Sequence, residues 1–263
     1  MNALEHSMYD TLKKLKEEYG ILAVKAEFEA EGSRTDELVM LNEIVFRNDM
    51  NLYIKIGGCE AVRDLDQCRL LGATGIMAPM IETPFAMRKF CEALQKVFDP
   101  EDLKNIDVII NAETVTAYEH FDEILAVGEG MLDTIAVGRV DLSASAGLSR
   151  AEINGEKVYG LTRGFGEKAK EKGVAVGFGG GISFDAIPFV ERMGDLASRF
   201  ETRKIVFDYE NAMRDIRGAL TEAIHFEYLY LQNKCEFYGR MAHEDEARMQ
   251  MMKQRYEKAI ASL

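Results

Sequence analysis

Hydrophobic residues recur along this chain in short continuous runs rich in valine, isoleucine and alanine, and a longer amphipathic stretch follows most of them. Continuous apolar runs are typical of strands that are buried on both faces, as in a parallel sheet. The predicted strands are ILAVKAEFE (21–29), NLYIKIGG (51–58), ATGIMAPMIE (73–82), VIINAE (108–113), DTIAVGRVD (133–141), VAVGFGGG (174–181) and KIVFD (204–208). Alternation of strands with helices predicts the α/β class and favours a (β/α)8 barrel of the TIM type over a doubly wound sheet.

The segments between the strands carry helix signals. In TPFAMRKFCEALQKVF (83–98), Thr83 is a predicted N-cap, and Pro84 suits the first turn because that position needs no backbone N–H. Residues 1–19 are also predicted to be helical. Because seven strands are recognised rather than eight, we expect that a strand has been missed near the N-terminus or that the barrel is modified there.

Beyond Asp208 the pattern is helical to the end of the chain. Two helices are predicted, at about 209–234 and 242–262, with YGRMAHE as the break between them. The stretches FEYLYLQNKCEFY and EARMQMMKQRY are rich in aromatic residues and methionine. Apolar helices outside a filled barrel need another surface to cover them. We therefore expect this tail to pack on the barrel or on a partner subunit, and to form much of a homo-oligomer interface.

Length, composition and charge limit the domain organisation, the partners and the cellular location that are expected. A chain of 263 residues without a linker-like segment predicts one domain, 1–263, with a barrel core at 1–208 and a helical tail at 209–263. A net charge of −13 without a dense basic cluster argues against a nucleic-acid partner.

No apolar run approaches the length of about 18 residues that a membrane span needs, and no signal peptide is recognisable, so a cytoplasmic protein without a membrane partner is expected. The four cysteines lack CxxC spacing and are expected to be reduced thiols.

Candidate chemistry lies at the predicted strand ends, since the active site of such a barrel is built there. The polar residues at those ends are Glu27, Glu29, Glu31, Lys55, Glu82, Glu113, Arg139, Asp141, Ser183 and Asp208. Glu113 and Asp141 end successive strands, and adjacent strands lie about 4.8 Å apart. Both carboxylates can therefore reach one hard cation such as magnesium or manganese, which takes oxygen ligands and keeps several waters.

Three segments, GATGIMAPMIET, INAETVTAYEHFDEILA and LDTIAVGRVDLSASAGL, together resemble the HpcH/HpaI aldolase and citrate lyase β-subunit family of the phosphoenolpyruvate/pyruvate superfamily. The resemblance covers about residues 20–208. It implies that Glu113 and Asp141 bind Mg²⁺, or alternatively Mn²⁺ or Co²⁺. It also implies that backbone amides around Asp141 and Leu142 hold the carboxylate of a pyruvate-like substrate.

The chain departs from that family pattern in three places. Lys55 stands where an arginine contacts the keto oxygen, so the charge is kept without the planar guanidinium. No histidine follows the first strand, which leaves Glu27 or Glu29 as the base. Arg139 stands where small residues or proline are common, and it either contacts a substrate carboxylate or phosphate or pairs with a neighbour. The predicted catalytic residues are Lys55, Arg139 and Glu29, and the predicted substrate-binding residues are Lys55, Asp141, Leu142 and Glu82.

The activity that the resemblance implies is that of a metal-dependent aldolase, a carbon–carbon lyase or a condensing enzyme. Its substrates would be a 2-oxo acid and an aldehyde or acyl acceptor. Breaking the bond next to a 2-oxo acid leaves an enolate, and a metal chelated by the substrate stabilises that charge. Three alternatives stay open: a citrate-lyase-like lyase of CoA thioesters, a Schiff-base aldolase that uses Lys55 or Lys25, and a catalytically degenerate family member that serves as a scaffold.

Overall fold

The computed structural model describes residues 1–261. Its centre is a closed barrel of eight strands, which confirms the TIM-type architecture predicted from the alternation. The strands are β1 (Ile21–Glu27), β2 (Asn51–Lys55), β3 (Gly75–Ala78), β4 (Asp107–Ala112), β5 (Thr134–Gly138), β6 (Ala175–Gly179), β7 (Arg199–Glu201) and β8 (Ile205–Asp208). All seven predicted strands are present, although Arg139 to Asp141, predicted to end the fifth of them, begin a helix instead.

The strand missed in the sequence is β7, so the expectation that it lay near the N-terminus is wrong. Strands β1 to β7 pair with their neighbours in parallel, whereas β8 runs antiparallel to both β7 and β1. A tight turn joins β7 to β8, in which the Thr202 N–H donates to the Ile205 carbonyl at 2.9 Å. A strand of three residues is shorter than the runs that hydrophobic patterning can detect. The barrel is therefore modified at its closing strands.

Helices surround the barrel. They are α1 (Ala3–Tyr19), α2 (Thr35–Arg47), α3 (Val62–Leu71), α4 (Pro84–Val97), α5 (Pro100–Leu103), α6 (Val115–Glu119), α7 (Phe121–Gly128), α8 (Arg139–Ser145), α9 (Glu156–Glu171), α10 (Ile187–Met193), α11 (Tyr209–Met213) and α12 (Ile216–Ala261). Helix α4 begins as the sequence predicts, because the Thr83 side chain accepts the Ala86 N–H at 3.1 Å. Helix α1 begins with a capping box between Asn2 and Glu5.

The interior of the barrel sets the position of the site. Its apolar layer consists of Ala23, Tyr53, Met77, Ile109, Ala136 and Val206. Because side chains alternate along a strand, the residues two positions further on face the same way. On β1, β2, β4 and β5 those residues are Lys25, Lys55, Asn111 and Gly138, so on these strands the apolar interior gives way to a polar floor at their carboxyl ends.

The first and last helices pack together on the outside of the barrel, where α1 lies along the first half of α12. Leu12 of α1 and Leu220 of α12 are fully buried, and Lys14 pairs with Glu222 at 2.6 Å. The predicted break at YGRMAHE is wrong, since α12 is one helix of 46 residues. A single glycine inside a helix costs only about 1 kcal/mol relative to alanine, so Gly239 does not end it. From Gly239 to Ile260 every residue is exposed.

Across residues 1–261 no helix combines the length and the hydropathy that crossing a bilayer requires. All four cysteines are free thiols. Cys68 lies on the buried face of α3, and that burial raises the pKa of its thiol to about 12. It therefore stays protonated and behaves as a packing residue.

Candidate active site

Glu113 directly follows β4 and is almost completely buried, with 1% of its surface exposed. One of its carboxylate oxygens accepts the Met80 N–H at 3.0 Å, and the other accepts the Asn111 side-chain amide at 2.8 Å. Burial raises the pKa of Glu113; Lys55 and these two hydrogen bonds oppose the rise, and the nearby Asp141 adds to it, so the net direction is upward. A cation beside Glu113 would favour its charged form.

Gly138, at the end of β5, makes room for Glu113. A Cβ atom at position 138 would lie 2.4 Å from the Glu113 Oε2 atom, which no real contact allows. Asp141 stands in the first turn of α8, three residues further on, and lines the same pocket as Glu113. The two predicted metal ligands are therefore brought together at adjacent strand ends.

Lys55 ends β2 between two carboxylates. Its Nζ lies 2.9 Å from Glu29 Oε2 and 3.7 Å from Glu113 Oε2. Burial lowers the pKa of Lys55, but Glu113, Glu29 and Glu27 outweigh burial and leave it above the usual range. Lys55 is therefore a charged group at the position where the sequence places the contact to a keto oxygen.

Lys25 repeats this arrangement on β1. Its Nζ lies 2.6 Å from Glu201 Oε1 and 3.4 Å from Glu27 Oε1. Burial lowers its pKa as well, and the two carboxylates again raise it above the usual range. Glu201 was not a sequence candidate, because it ends β7, the strand that patterning missed.

The charge balance of the pocket floor fits a divalent cation. Five carboxylates face two lysines there, a formal excess of three negative charges; the carboxylates are Glu27, Glu29, Glu113, Asp141 and Glu201. The side-chain oxygen of Asn111 is buried in this floor without a hydrogen-bond partner. Within residues 1–261, no group of three His, Cys, Asp or Glu side chains has metal-ligand spacing. Carboxylate and amide oxygens are the ligands that a magnesium-type ion takes, and such an ion keeps several waters.

The start of α8 supplies free backbone donors. The first turn of an α-helix leaves its N–H groups without intrahelical partners, and here these belong to Arg139, Val140 and Asp141. A Cβ atom on Gly180 would lie 2.9 Å from the Val140 nitrogen, so glycine leaves that approach open. The Leu142 amide, predicted to bind substrate, falls one position too late, because it can donate to the Gly138 carbonyl within the helix, and the Leu142 side chain is buried in the core.

Arg139 does not line the pocket, which corrects its prediction as a catalytic residue. It is fully buried, and its guanidinium donates to the carbonyls of Gly179 and Gly180 and to the Asn154 side chain, at 3.1, 2.7 and 2.8 Å. Of the alternatives stated for Arg139, the structure thus shows pairing with its neighbours. It fixes the loop after β6 that faces α8. Glu82 also lies away from the pocket, so the structure does not place it against substrate.

The pocket encloses about 440 Å³ and is closed on one side by α12. Its mouth carries Arg150, Thr202, Arg203, Ile224 and Glu227. A wider cleft of about 850 Å³ lies at the opposite end of the barrel. Asp107 in this cleft pairs with Arg199 and accepts from Tyr53 and Thr134. That end of such a barrel generally serves stability.

A model of the HpcH/HpaI aldolase/citrate lyase family matches residues 31–187, more than half of the chain, and this segment holds Lys55, Glu113 and Asp141. The chain belongs to the HpcH/HpaI aldolase/citrate lyase family. The resemblance found in the sequence is thereby confirmed. No curated protein sequence matches the chain.

Solved structures share the fold at low sequence identity. An HpcH/HpaI aldolase from Desulfitobacterium hafniense DCB-2 is 18% identical with a TM-score of 0.60, over 74% of this chain and 82% of that one. The citrate synthase SbnG is 16% identical with a TM-score of 0.59, over 84% and 89%. Macrophomate synthase is 17% identical with a TM-score of 0.58, over 89% and 82%. The family and these neighbours are aldolases, lyases and synthases, and they support an enzymatic role for this chain.

The family match covers only part of the pocket. It begins after β1 and ends before β7, so Lys25, Glu27, Glu29 and Glu201 lie outside it. The region around Glu113 and Asp141 thus follows the HpcH/HpaI family pattern, whereas the wall built by β1 and the β7–β8 hairpin does not fall under it.

Proposed function

We propose that this family member is a divalent-metal-dependent carbon–carbon lyase, aldolase or condensing enzyme that acts through the enolate of a 2-oxo acid. The observation that carries the proposal is the Glu113–Asp141 pair at adjacent strand ends, within a pocket floor that has a surplus of carboxylates. Mg²⁺, Mn²⁺ or Co²⁺ held by this pair would act as a Lewis acid toward the carboxylate and keto oxygens of the substrate.

The chain's own residues then have separate tasks. The free N–H groups at the start of α8 donate to the substrate carboxylate, in the space that Gly138 and Gly180 leave open. Lys55 donates to the keto oxygen, where negative charge develops as the carbon–carbon bond breaks. Its charge is secured by the carboxylates on either side of it.

Glu29 is the proposed base. Its side chain is 28% exposed, lines the pocket and lies 2.9 Å from Lys55. Glu27, the other candidate from the sequence, is more deeply buried and shares Lys25 with Glu201. When Glu29 takes the proton of a substrate hydroxyl, Lys55 still has Glu113 as a partner at 3.7 Å.

A Schiff-base aldolase receives less support. A lysine nucleophile must lose its proton at neutral pH, yet carboxylates raise the pKa of both Lys25 and Lys55. A lyase of CoA thioesters would need a basic groove for the ADP part, whereas the floor of this pocket is acidic. A scaffold without catalysis would leave Glu113 and Asp141 repelling each other. None of the three is favoured by a specific contact.

Exchange of pyruvate methyl protons with deuterium, followed by NMR, tests the proposal without any acceptor. We expect exchange with added Mg²⁺, Mn²⁺ or Co²⁺ and none in excess chelator. Since losing an outer-shell partner of a metal already costs about 10- to 100-fold, Glu113→Gln and Asp141→Asn should each lower the exchange rate by at least about 100-fold. Both variants should also weaken Mn²⁺ binding measured by electron paramagnetic resonance.

Glu210→Gln is the matched control, because Glu210 is an exposed carboxylate on α11, beyond β8 at the other end of the barrel. It should match the unmodified protein in Mn²⁺ binding and in exchange. If Glu113→Gln and Asp141→Asn both keep full Mn²⁺ affinity, the metal assignment is wrong. If sodium borohydride traps pyruvate on the chain in the presence of chelator, the Schiff-base alternative holds instead.

A further inference from the structure

Two arginines stand at the mouth of the pocket and take no part in the chemistry proposed above. Arg150 lies on the α8 side and Arg203 on the β7–β8 side, and both line the pocket. Each side chain is more than a third exposed. The floor beneath them has more carboxylates than lysines, so the excess of positive charge lies at the mouth.

The backbone that carries Arg150 is fixed. The Ser149 N–H and hydroxyl both donate to Glu152 Oε2, each at 3.0 Å, and this capping box holds a short 3₁₀ turn at Arg150–Glu152. In the described chain, the Arg150 side chain makes no ion pair and no side-chain hydrogen bond. A guanidinium on an ordered turn with all its donors free is available to a ligand.

Arg203 sits in the turn of the β7–β8 hairpin, which lies outside the family match. Its nearest carboxylates are loosely placed, with Glu31 at 3.8 Å and Glu227 at 3.9 Å. The next residue, Lys204, is fully buried, pairs with Glu31 and lies 4.1 Å over the Tyr230 ring. Lys204 thus holds the turn against Glu31 and Tyr230, and Arg203 lines the pocket.

We infer that Arg150 and Arg203 together bind an anionic group, a carboxylate or a phosphate, at the far end of the acceptor substrate. The inference rests on the proposed function, since it assigns the acceptor half of that reaction. Guanidinium groups bind both anions through paired N–H donors. The arginines attract such a group to the mouth, and the acidic floor repels it. Together they direct the uncharged carbonyl of the acceptor toward the 2-oxo acid.

Matched acceptor pairs test this inference. Pyruvate condensation is measured with 5-oxopentanoate against pentanal, and with glyceraldehyde 3-phosphate against glyceraldehyde. We expect the anionic member of at least one pair to have the higher kcat/KM, and the pair that shows this distinguishes carboxylate from phosphate. A charge-assisted hydrogen bond contributes about 1.5–3 kcal/mol. Arg150→Gln or Arg203→Gln should therefore lower the ratio of kcat/KM for the anionic acceptor to kcat/KM for the neutral one (the anionic-to-neutral ratio) by about 10- to 100-fold, mainly by raising KM for the anionic acceptor.

Three further variants sharpen the result. Arg150→Lys should keep part of the preference, since the charge remains. Glu227→Gln should increase it, because a carboxylate that competes for Arg203 is neutralised. Arg163→Gln is the matched control: Arg163 is an exposed arginine on α9 that pairs with Glu167 away from the pocket, and its ratio should equal that of the unmodified protein.

The outcomes separate this inference from the proposed function. If pyruvate exchange proceeds and condensation occurs, but the anionic-to-neutral ratio is unchanged in both Arg150→Gln and Arg203→Gln, the mouth does not bind an anion and the inference is overturned. If neutral acceptors are preferred in both pairs by the unmodified protein, it is overturned as well. A failure of metal-dependent exchange would instead count against the proposed function.

Discussion

At the scale of single residues, the pocket is organised by pairs in which one lysine is shared between two carboxylates. Lys55 lies between Glu29 and Glu113, and Lys25 lies between Glu27 and Glu201. Burial alone would favour neutral lysines, but the surrounding carboxylates prevail. Each lysine is consequently a fixed positive charge, suited to stabilising developing negative charge and unsuited to nucleophilic attack.

Lys55→Met should reduce kcat far more than Lys55→Arg does. Removing one preorganised donor to a developing oxyanion costs about 10²- to 10³-fold in kcat, whereas arginine keeps the charge and should retain partial activity. Steady-state kinetics with a 2-oxo acid and its acceptor separate kcat from KM. Equal and small effects of the two substitutions would remove Lys55 from the site.

Gly138→Ala tests whether the geometry of Glu113 is needed. The added methyl group would displace Glu113 Oε2 from a position 2.4 Å away, so Mn²⁺ affinity and activity should fall by about tenfold or more. Overpacking of this kind typically costs about 1–3 kcal/mol of stability, which a chain of this size tolerates. Gly160→Ala, on α9 with no atom within 4 Å of the new Cβ, is the control and should bind Mn²⁺ normally. Undiminished metal binding in Gly138→Ala would contradict the assignment of Glu113.

At the scale of elements, the β7–β8 hairpin replaces the strand–helix–strand unit that would otherwise close the barrel. It brings Glu201 to the pocket floor and Arg203 to the mouth. It is anchored by Lys204, which is buried against Glu31 and Tyr230, and burial lowers the pKa of Lys204 in spite of Glu31. The hairpin thereby joins β1, α12 and the pocket into one structural unit.

Lys204→Met should lower the free energy of unfolding by about 3–5 kcal/mol, because the largely buried Glu31 carboxylate then keeps only the more distant Arg203, at 3.8 Å. Urea denaturation followed by circular dichroism measures the change. The double variant Lys204→Met, Glu31→Leu should recover most of the loss, since it removes both charges. A double variant as unstable as the single one would show that packing around Lys204, and not its charge, holds the hairpin.

How far the sequence predicted this structure depended on the length and chemistry of each element. The Glu113–Asp141 pair followed from runs of apolar residues long enough to mark strand ends, and β4 and β5 are such strands. Glu201 could not be found in this way, because β7 has only three residues. Arg139 was misassigned because a polar residue after a strand gives no sign of which way its side chain turns. Its burial depends on Gly179 and Asn154, which are distant in sequence.

At the scale of the whole molecule, the second half of α12 stands out because its residues from Gly239 to Ile260 are exposed. From Gly239 to Ile260 it extends on the order of 33 Å at 1.5 Å per residue. Met249, Met252 and Tyr256 are each more than half exposed, and their spacing of three and four residues places them on one helical face. That this face forms a homo-oligomer interface stays a prediction.

Ending the chain after Arg240 tests whether the exposed part of α12 forms a homo-oligomer interface. The shortened protein keeps the half of α12 that packs on α1, so we expect it to remain folded and to become monomeric, whereas the full chain should be a homo-oligomer. Size-exclusion chromatography with light scattering measures both masses at micromolar concentration. Ending the chain after Asp208 should instead give insoluble or weakly active protein, because it uncovers Leu12 and Leu15 of α1. A monomeric full-length chain would contradict the prediction.

The late partners of β1 and α1 affect how the chain folds while it is being synthesised. Strand β1 has no partner on its open side until β8 emerges, and the face of α1 that packs on α12 stays uncovered until the first half of α12 follows. At typical synthesis rates of about 5–20 residues per second, the interval from β1 to β8 lasts roughly 10 to 35 s. During that time a growing chain exposes an unpaired strand edge and the apolar face of α1. Nascent chains of this protein are therefore expected to be clients of ribosome-associated chaperones until the last strand is made.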